Sequence, residues 1–192
     1  MVRTEERHSM FSEPMREKKI LTLCMIYKGG RILLGMKKRG FGAGYWNGFG
    51  GKVRPDESVE EGMLRETQEE IGITLLRFEK KGILGFHFEN DPVLLEGHIF
   101  TSSDFEGEPV ESEEMEPCWF AFEKIPYEKM WPGDKHWIPW LLQEKIFTGD
   151  FYFKNAQTLL DYNLKEVEPS RLHFRKDCLH AGENEVKWRG LP

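Results

Sequence analysis

The chain is poor in the features that most readily assign a protein to a class. It has three cysteines, Cys24, Cys118 and Cys178, odd in number and far apart. That spacing offers neither a disulfide framework nor a zinc-ligand pair, so a reducing compartment is expected: the cytoplasm, with the nucleus or mitochondrion as alternatives. No apolar run approaches the roughly 20 residues of a membrane span, and residues 1–17 are too polar for a secretory signal. No membrane partner is expected. Basic charge is not in excess either, since 27 Lys and Arg face 33 Asp and Glu for a net charge of -6. A chain that coats a nucleic-acid backbone needs the opposite balance, so no direct nucleic-acid binding is expected and a small anionic ligand at a local site stays open.

With 39% apolar residues in 192, the chain can bury one good core but hardly two. A flexible segment over 1–18, one domain over 19–169 and an extension over 170–192 are expected. The extension is polar, basic in its middle and without period, and a monomer is the expected state. Residues 20–27 (ILTLCMIY) read as a buried strand, and Gly29-Gly30 turns the chain into a second strand over 31–36. Residues 37–51 form a loop with six glycines and the aromatic anchors Phe41, Tyr45, Trp46 and Phe49. Further strands are predicted at 75–79, 82–88, 93–102, 118–122, 150–154 and 159–167, with helices at 127–131 and 135–147. The pattern is α+β, a mixed sheet with helices.

One helix stands out, over 57–71, where Val59, Met63, Thr67 and Ile71 recur every four residues. Asp56 is its predicted N-cap and Gly72 its stop. Successive side chains turn by about 100°, so Glu66, Glu69 and Glu70 converge on one side. Three like charges there cost a few tenths of a kcal/mol per pair unless a cation sits between them. Oxygen-only donors select a hard ion, magnesium rather than zinc. Gly62, one turn earlier on the same face, leaves no side chain to block a ligand, and Glu57 points away from that face toward Arg65 or the loop.

From Gly51, five residues lead to Glu57 and seven more to Arg65-Glu66, and the run closes Thr67-Gln68-Glu69-Glu70-Ile71-Gly72-Ile73. This resembles the Nudix box, with one departure at Thr67, where an aliphatic is usual. The resemblance implies a mixed β-sheet sandwiched between helices and a magnesium-dependent hydrolase that attacks a phosphoanhydride with water. It implies metal binding by Glu66, Glu69 and Glu70 with backbone oxygen from Gly50 or Gly51. Beyond the box, residues 35–53, 109–120, 130–137 and 159–167 resemble the vertebrate MutT-type branch of the family, which clears oxidised purine nucleoside triphosphates such as 8-oxo-dGTP and 2-hydroxy-dATP from the precursor pool.

Carried over by position, Asn47 and Asp134 would hydrogen-bond the base and Trp131 would stack on it, beside Pro132 and Gly133. Thr22, Phe41, Phe86, Leu95 and Trp137 would line the pocket, and Lys37, Phe49 and Lys52 would lie near the sugar and phosphates. Glu114 matches a further metal-binding or water-activating carboxylate. Without the resemblance, Trp131, Phe41 and Phe86 would be read as core, Asp134 as a helix cap and Glu114 as solvated surface. That branch carries two adjacent aspartates where this chain has Gly133-Asp134, so a narrower base tolerance is expected. Two alternatives stay open: hydrolysis of another nucleoside diphosphate derivative (ADP-ribose, a dinucleoside polyphosphate, an RNA cap), or a catalytically silent nucleotide-binding module.

Overall fold

A computed structural model describes residues 17–172, and the expectations for 1–16 and 173–192 lie outside the described residues. Eight strands form one mixed sheet: β1 Lys18–Lys28, β2 Arg31–Lys37, β3 Trp46–Asn47, β4 Thr74–Phe88, β5 Leu94–Glu106, β6 Met115–Ala121, β7 Phe147–Asn155 and β8 Thr158–Glu166. The order is β3-β2-β1-β5-β4-β7-β8, with β6 also on β2, and β1–β5 and β4–β7 are the parallel pairs. Gly29 and Gly30, at φ 59 and 72, make the hairpin between β1 and β2. Both angles lie in the left-handed region that a tight two-residue hairpin requires.

Alternation along β1 places core on both faces of the sheet. Met25 joins Leu84, Trp137, Ile138 and Phe151 on one side, under helix α2 (Asp134–Leu142). Cys24 and Ile26 join Phe49, Met63, Ile71 and Phe100 on the other, under helix α1 (Val59–Ile71). Met63 and Ile71 are fully buried, each contributing about 1.5–3 kcal/mol. Thr67 is buried with them and satisfies its hydroxyl on the Met63 carbonyl at 2.9 Å, so this departure from the box acts on packing. Among the described residues no helix is long and apolar enough to cross a membrane.

Several boundaries differ from the sequence reading. Helix α1 begins two residues later than predicted, because Ser58 and not Asp56 caps it. The Ser58 hydroxyl accepts from the Glu61 N–H, and the Glu61 carboxylate accepts from the Ser58 N–H. The segments 75–79 and 82–88 are one strand whose register shifts mark bulges. The second helix stops at Leu142, since Glu144 adopts φ 58 and Phe147 pairs with Gly82 in the sheet. Apolar residues continue through Ile146 and Phe147, so periodicity alone extends the helix too far. At 127–131 there is only a 3-10 turn, Tyr127–Lys129.

Replacing Ser58 with alanine is expected to cost about 1 kcal/mol, read as a lower Tm, with catalytic constants unchanged because the cap lies outside the cavity described below.

Candidate active site

Arg65 organises the acidic face of α1. Its five N–H donors are all engaged: Nε and Nη2 hold the Glu57 carboxylate at 2.9 and 2.7 Å, Nη1 holds Glu66 at 2.7 Å and Glu69 at 3.1 Å, and Nη2 reaches the Lys52 carbonyl at 3.2 Å. Glu57 is therefore the partner of Arg65, as expected, but it lies in the loop before the helix and folds back to meet it. The guanidinium and the Arg54 N–H hold its carboxyl at about 2, well below the usual glutamate value. Gly62 serves this loop rather than ligand approach. A Cβ there would meet the Glu57 carboxylate at 3.0 Å and Val53 at 3.4 Å.

Glu70 is different. It is buried, and its Oε2 accepts the Gly50 N–H at 2.9 Å, while Oε1 has no hydrogen-bond donor. Burial pushes its pKa up to about 7, against the pull of the Gly50 N–H and the Lys37 ammonium 3.6 Å away. Lys37 also reaches Glu114 at 3.7 Å, linking two carboxylates from distant segments. The loop fits this closely because it is glycine. Gly50 has φ 150 and a Cβ there would strike the Thr22 carbonyl, while one on Gly51 would lie 2.5 Å from the Glu66 carboxyl carbon.

Lys37, Gly50, Gly51, Arg65, Glu66, Glu69, Glu70 and Glu114 line a cavity of about 1040 Å³, at the top of the range for small-molecule sites. The same cavity is lined by Trp131, Asn47 and Asp134. Phe41 packs against the Trp131 ring at 5.0 Å and Tyr45 stacks on it at 5.5 Å. The Asn47 carbonyl oxygen accepts from the Gly48 N–H at 2.9 Å, which leaves the amide NH2 to face a ligand. Asp134 does not cap α2: its oxygens accept from the Trp131 N–H at 3.2 Å and the Trp137 indole N–H at 3.1 Å. Burial raises its pKa from 3.8 to about 7.

The NUDIX domain family matches residues 17–141. The chain belongs to that family. It is 47% identical over 154 residues to the oxidized purine nucleoside triphosphate hydrolase of Mus musculus, covering 80% of this chain and 99% of that protein. It is 48% identical over 150 residues to the protein of the same name from Danio rerio, covering 78% and 96%. Its fold is similar to the crystal structure of a mutator MutT protein from Bacillus halodurans, with TM-score 0.69 and 29% identity over 76% of this chain and 97% of that one.

NUDIX hydrolases generally use a divalent metal, and the donor set here fits one. Glu66, Glu69, Glu70 and Glu114 offer only oxygen, and the buried Glu70 Oε1, which accepts no hydrogen bond and has only the Lys37 ammonium 3.6 Å away, is an atom that a cation would satisfy. Among the described residues no three acidic, His or Cys side chains already converge on a point, because Arg65 draws Glu66 and Glu69 to itself. Of the remaining expected residues, Thr22, Lys37, Phe41, Gly50, Gly51, Lys52, Phe86 and Leu95 all reach the cavity wall. Phe49, Pro132, Gly133 and Trp137 do not. Phe49 and Trp137 are wholly buried behind the wall, in the two cores, and Trp137 acts through Asp134. Gly133 packs against the Phe151 and Phe153 rings, where a Cβ would sit 3.0 to 3.3 Å from them. Sequence reasoning missed Arg39, Arg54 and Phe88 at the wall. Arg54 lies inside the box at a variable position, and nothing local marks it.

Between pH 3.8 and about 7 the unfolded chain releases the Asp134 proton and the folded protein keeps it. This group's contribution to stability is therefore full below that window and declines as pH rises through it. In urea unfolding at several pH values, the stability of wild type relative to Asp134→Asn is expected to fall across the window. A constant difference would show that Asp134 does not titrate there.

Proposed function

We propose that this NUDIX hydrolase splits oxidised or otherwise modified purine nucleoside triphosphates into the monophosphate and pyrophosphate, with Mg2+ as the metal, and so sanitises the nucleotide pool. One observation carries the reading: a single cavity is lined both by aromatic rings with an amide and a carboxyl and by a cluster of carboxylates and cations. A purine stacks on Trp131 while the Asn47 NH2 donates to its polar edge. Asp134 supplies the second contact, as an acceptor when ionised and a donor when protonated. The 47–48% identity to oxidized purine nucleoside triphosphate hydrolases supports this choice of base.

In the same cavity, Glu66, Glu69, Glu70 and Glu114 would hold magnesium, together with a backbone oxygen of Gly50 or Gly51. When bound, the metal neutralises charge on the attacking and leaving oxygens and acidifies water. Lys37 stands between Glu70 and Glu114, able to meet a phosphate oxygen once it leaves them. The Gly51 carbonyl already accepts the Thr22 N–H at 2.8 Å, so Gly50 is the better placed of the two to turn a free carbonyl to the metal. A lone Asp134 beside Gly133 has one titrating carboxyl with which to read the base, and narrower tolerance follows.

A substrate panel tests this reading. With Mg2+ present, kcat/KM for 8-oxo-dGTP, 2-hydroxy-dATP or N6-methyl-dATP is expected to exceed that for undamaged dGTP, with pyrophosphate as product and no turnover after chelation. Equal values for all four would sink the sanitation reading, and phosphate rather than pyrophosphate would move the cleaved bond. Glu70→Gln is expected to lower kcat about a hundred-fold or more while keeping the wild-type Tm.

A further inference from the structure

Three guanidinium groups line the cavity, those of Arg39, Arg54 and Arg65, and their hydrogen bonding separates them. Arg65 has no donor to spare, as all five hold Glu57, Glu66, Glu69 and the Lys52 carbonyl. Arg39 commits all three of its nitrogens to the acidic loop, with Nε 3.1 Å and Nη2 3.0 Å from Glu114 and Nη1 3.1 Å from Glu113. Among the described residues the Arg54 side chain makes one long contact, Nη2 to Glu69 at 3.6 Å, and is 55% exposed. That distance is too long for a hydrogen bond, so its donors remain in reserve.

The backbone beneath Arg54 is fixed. Its N–H donates to Glu57 at 2.8 Å, Glu57 is clamped by Arg65, and the neighbouring Val53 N–H donates to the Ile20 carbonyl at 3.0 Å. Lys52 and Arg54 stand two apart on this extended stretch and both face the cavity, with Val53 turned the other way toward Gly62. A rigid base carrying an uncommitted planar fork beside an ammonium is suited to bidentate capture of a phosphate. The neighbours of Arg54 are Glu69 on the acidic face of α1 and the clamped Glu57, not Asn47, Trp131 or Asp134, and this placement points to the outer phosphates over the one that carries the sugar.

We propose that Arg54 is a substrate-binding residue that grips the terminal phosphates of the triphosphate, and so selects a triphosphate over a diphosphate. The assignment rests on the triphosphate reading of the preceding subsection and adds to it the residue that measures chain length. Lys52 provides the general positive potential beside it. The same contact holds the departing pyrophosphate, so product inhibition reports on it independently of the base.

The test compares wild type, Arg54→Gln and Arg54→Lys with whichever nucleoside triphosphate the panel shows to be turned over, and with the diphosphate of the same base. Arg54→Gln is expected to lower kcat/KM for the triphosphate about ten-fold, carried by KM, and to raise the inhibition constant of pyrophosphate by a similar factor. The diphosphate is expected to be unaffected, and Arg54→Lys to recover part of the loss as a point charge without the fork. Wild-type behaviour of Arg54→Gln toward both triphosphate and pyrophosphate would overturn the proposal. So would an equal loss on triphosphate and diphosphate, which would put Arg54 on the inner phosphates or on structure alone. If only undamaged nucleotides are hydrolysed, the base assignment fails while the role of Arg54 is still measured.

Discussion

The union of the loop with the acidic face of α1 depends on the Arg65 guanidinium. Isolated, the clustered glutamates Glu66, Glu69 and Glu70 of α1 repel each other, and the loop that approaches the helix carries further carboxylate at Glu57. One side chain with a planar fork satisfies both: it joins Glu57 in the loop to Glu66 and Glu69 on the helix, and ties in the Lys52 backbone. Lysine, a point charge, has no geometry that makes all of these contacts at once. The loop and helix thus become one rigid unit, and glycines at 50 and 51 let it close onto β1 and Glu66 without collision.

The sheet relates that unit to the base-reading end. β1 lies against α1 through Cys24 and Ile26 and against the α2 side through Met25, so both walls of the cavity rest on the same strand. Asp134, buried, is oriented by two donors, the indole N–H of the core residue Trp137 and the backbone N–H of Trp131. Charge selectivity and base selectivity are consequently separable. The first resides in the loop-helix unit together with Lys37 and Glu114, and the second in side chains of two distant segments, Asn47 on β3 and Trp131 with Asp134 at the start of α2.

That division explains what was legible in the sequence. Glu66, Glu69, Glu70 and the turn at Gly50-Gly51 fall in one stretch with fixed spacing, and helical geometry alone brings the carboxylates to one face. The mixed sheet and most strands were visible in their alternation. Less visible were features decided across the fold. Phe49 and Trp137 have the composition of pocket aromatics but fill the two cores, because strand register and helix packing turn them inward. Gly62 looked like an opening for ligand and instead admits Val53 and Glu57. Ser58 took the capping role from Asp56 through a reciprocal pair with Glu61 that the predicted boundary had placed inside the helix. Arg54 carried no local signal, since what marks it is the absence of a close partner in three dimensions.

The central claim is that the Arg65–Glu57 clamp shapes the metal-binding face although Glu57 itself binds no metal. Titrating Mn2+ into wild type and Glu57→Gln by calorimetry addresses it directly. The expected result is a roughly ten-fold weaker affinity in the variant, with the secondary structure intact by circular dichroism, the size of effect that supporting residues around a metal site produce. An affinity equal to wild type would contradict the account, because the carboxylates would then be presented without the clamp.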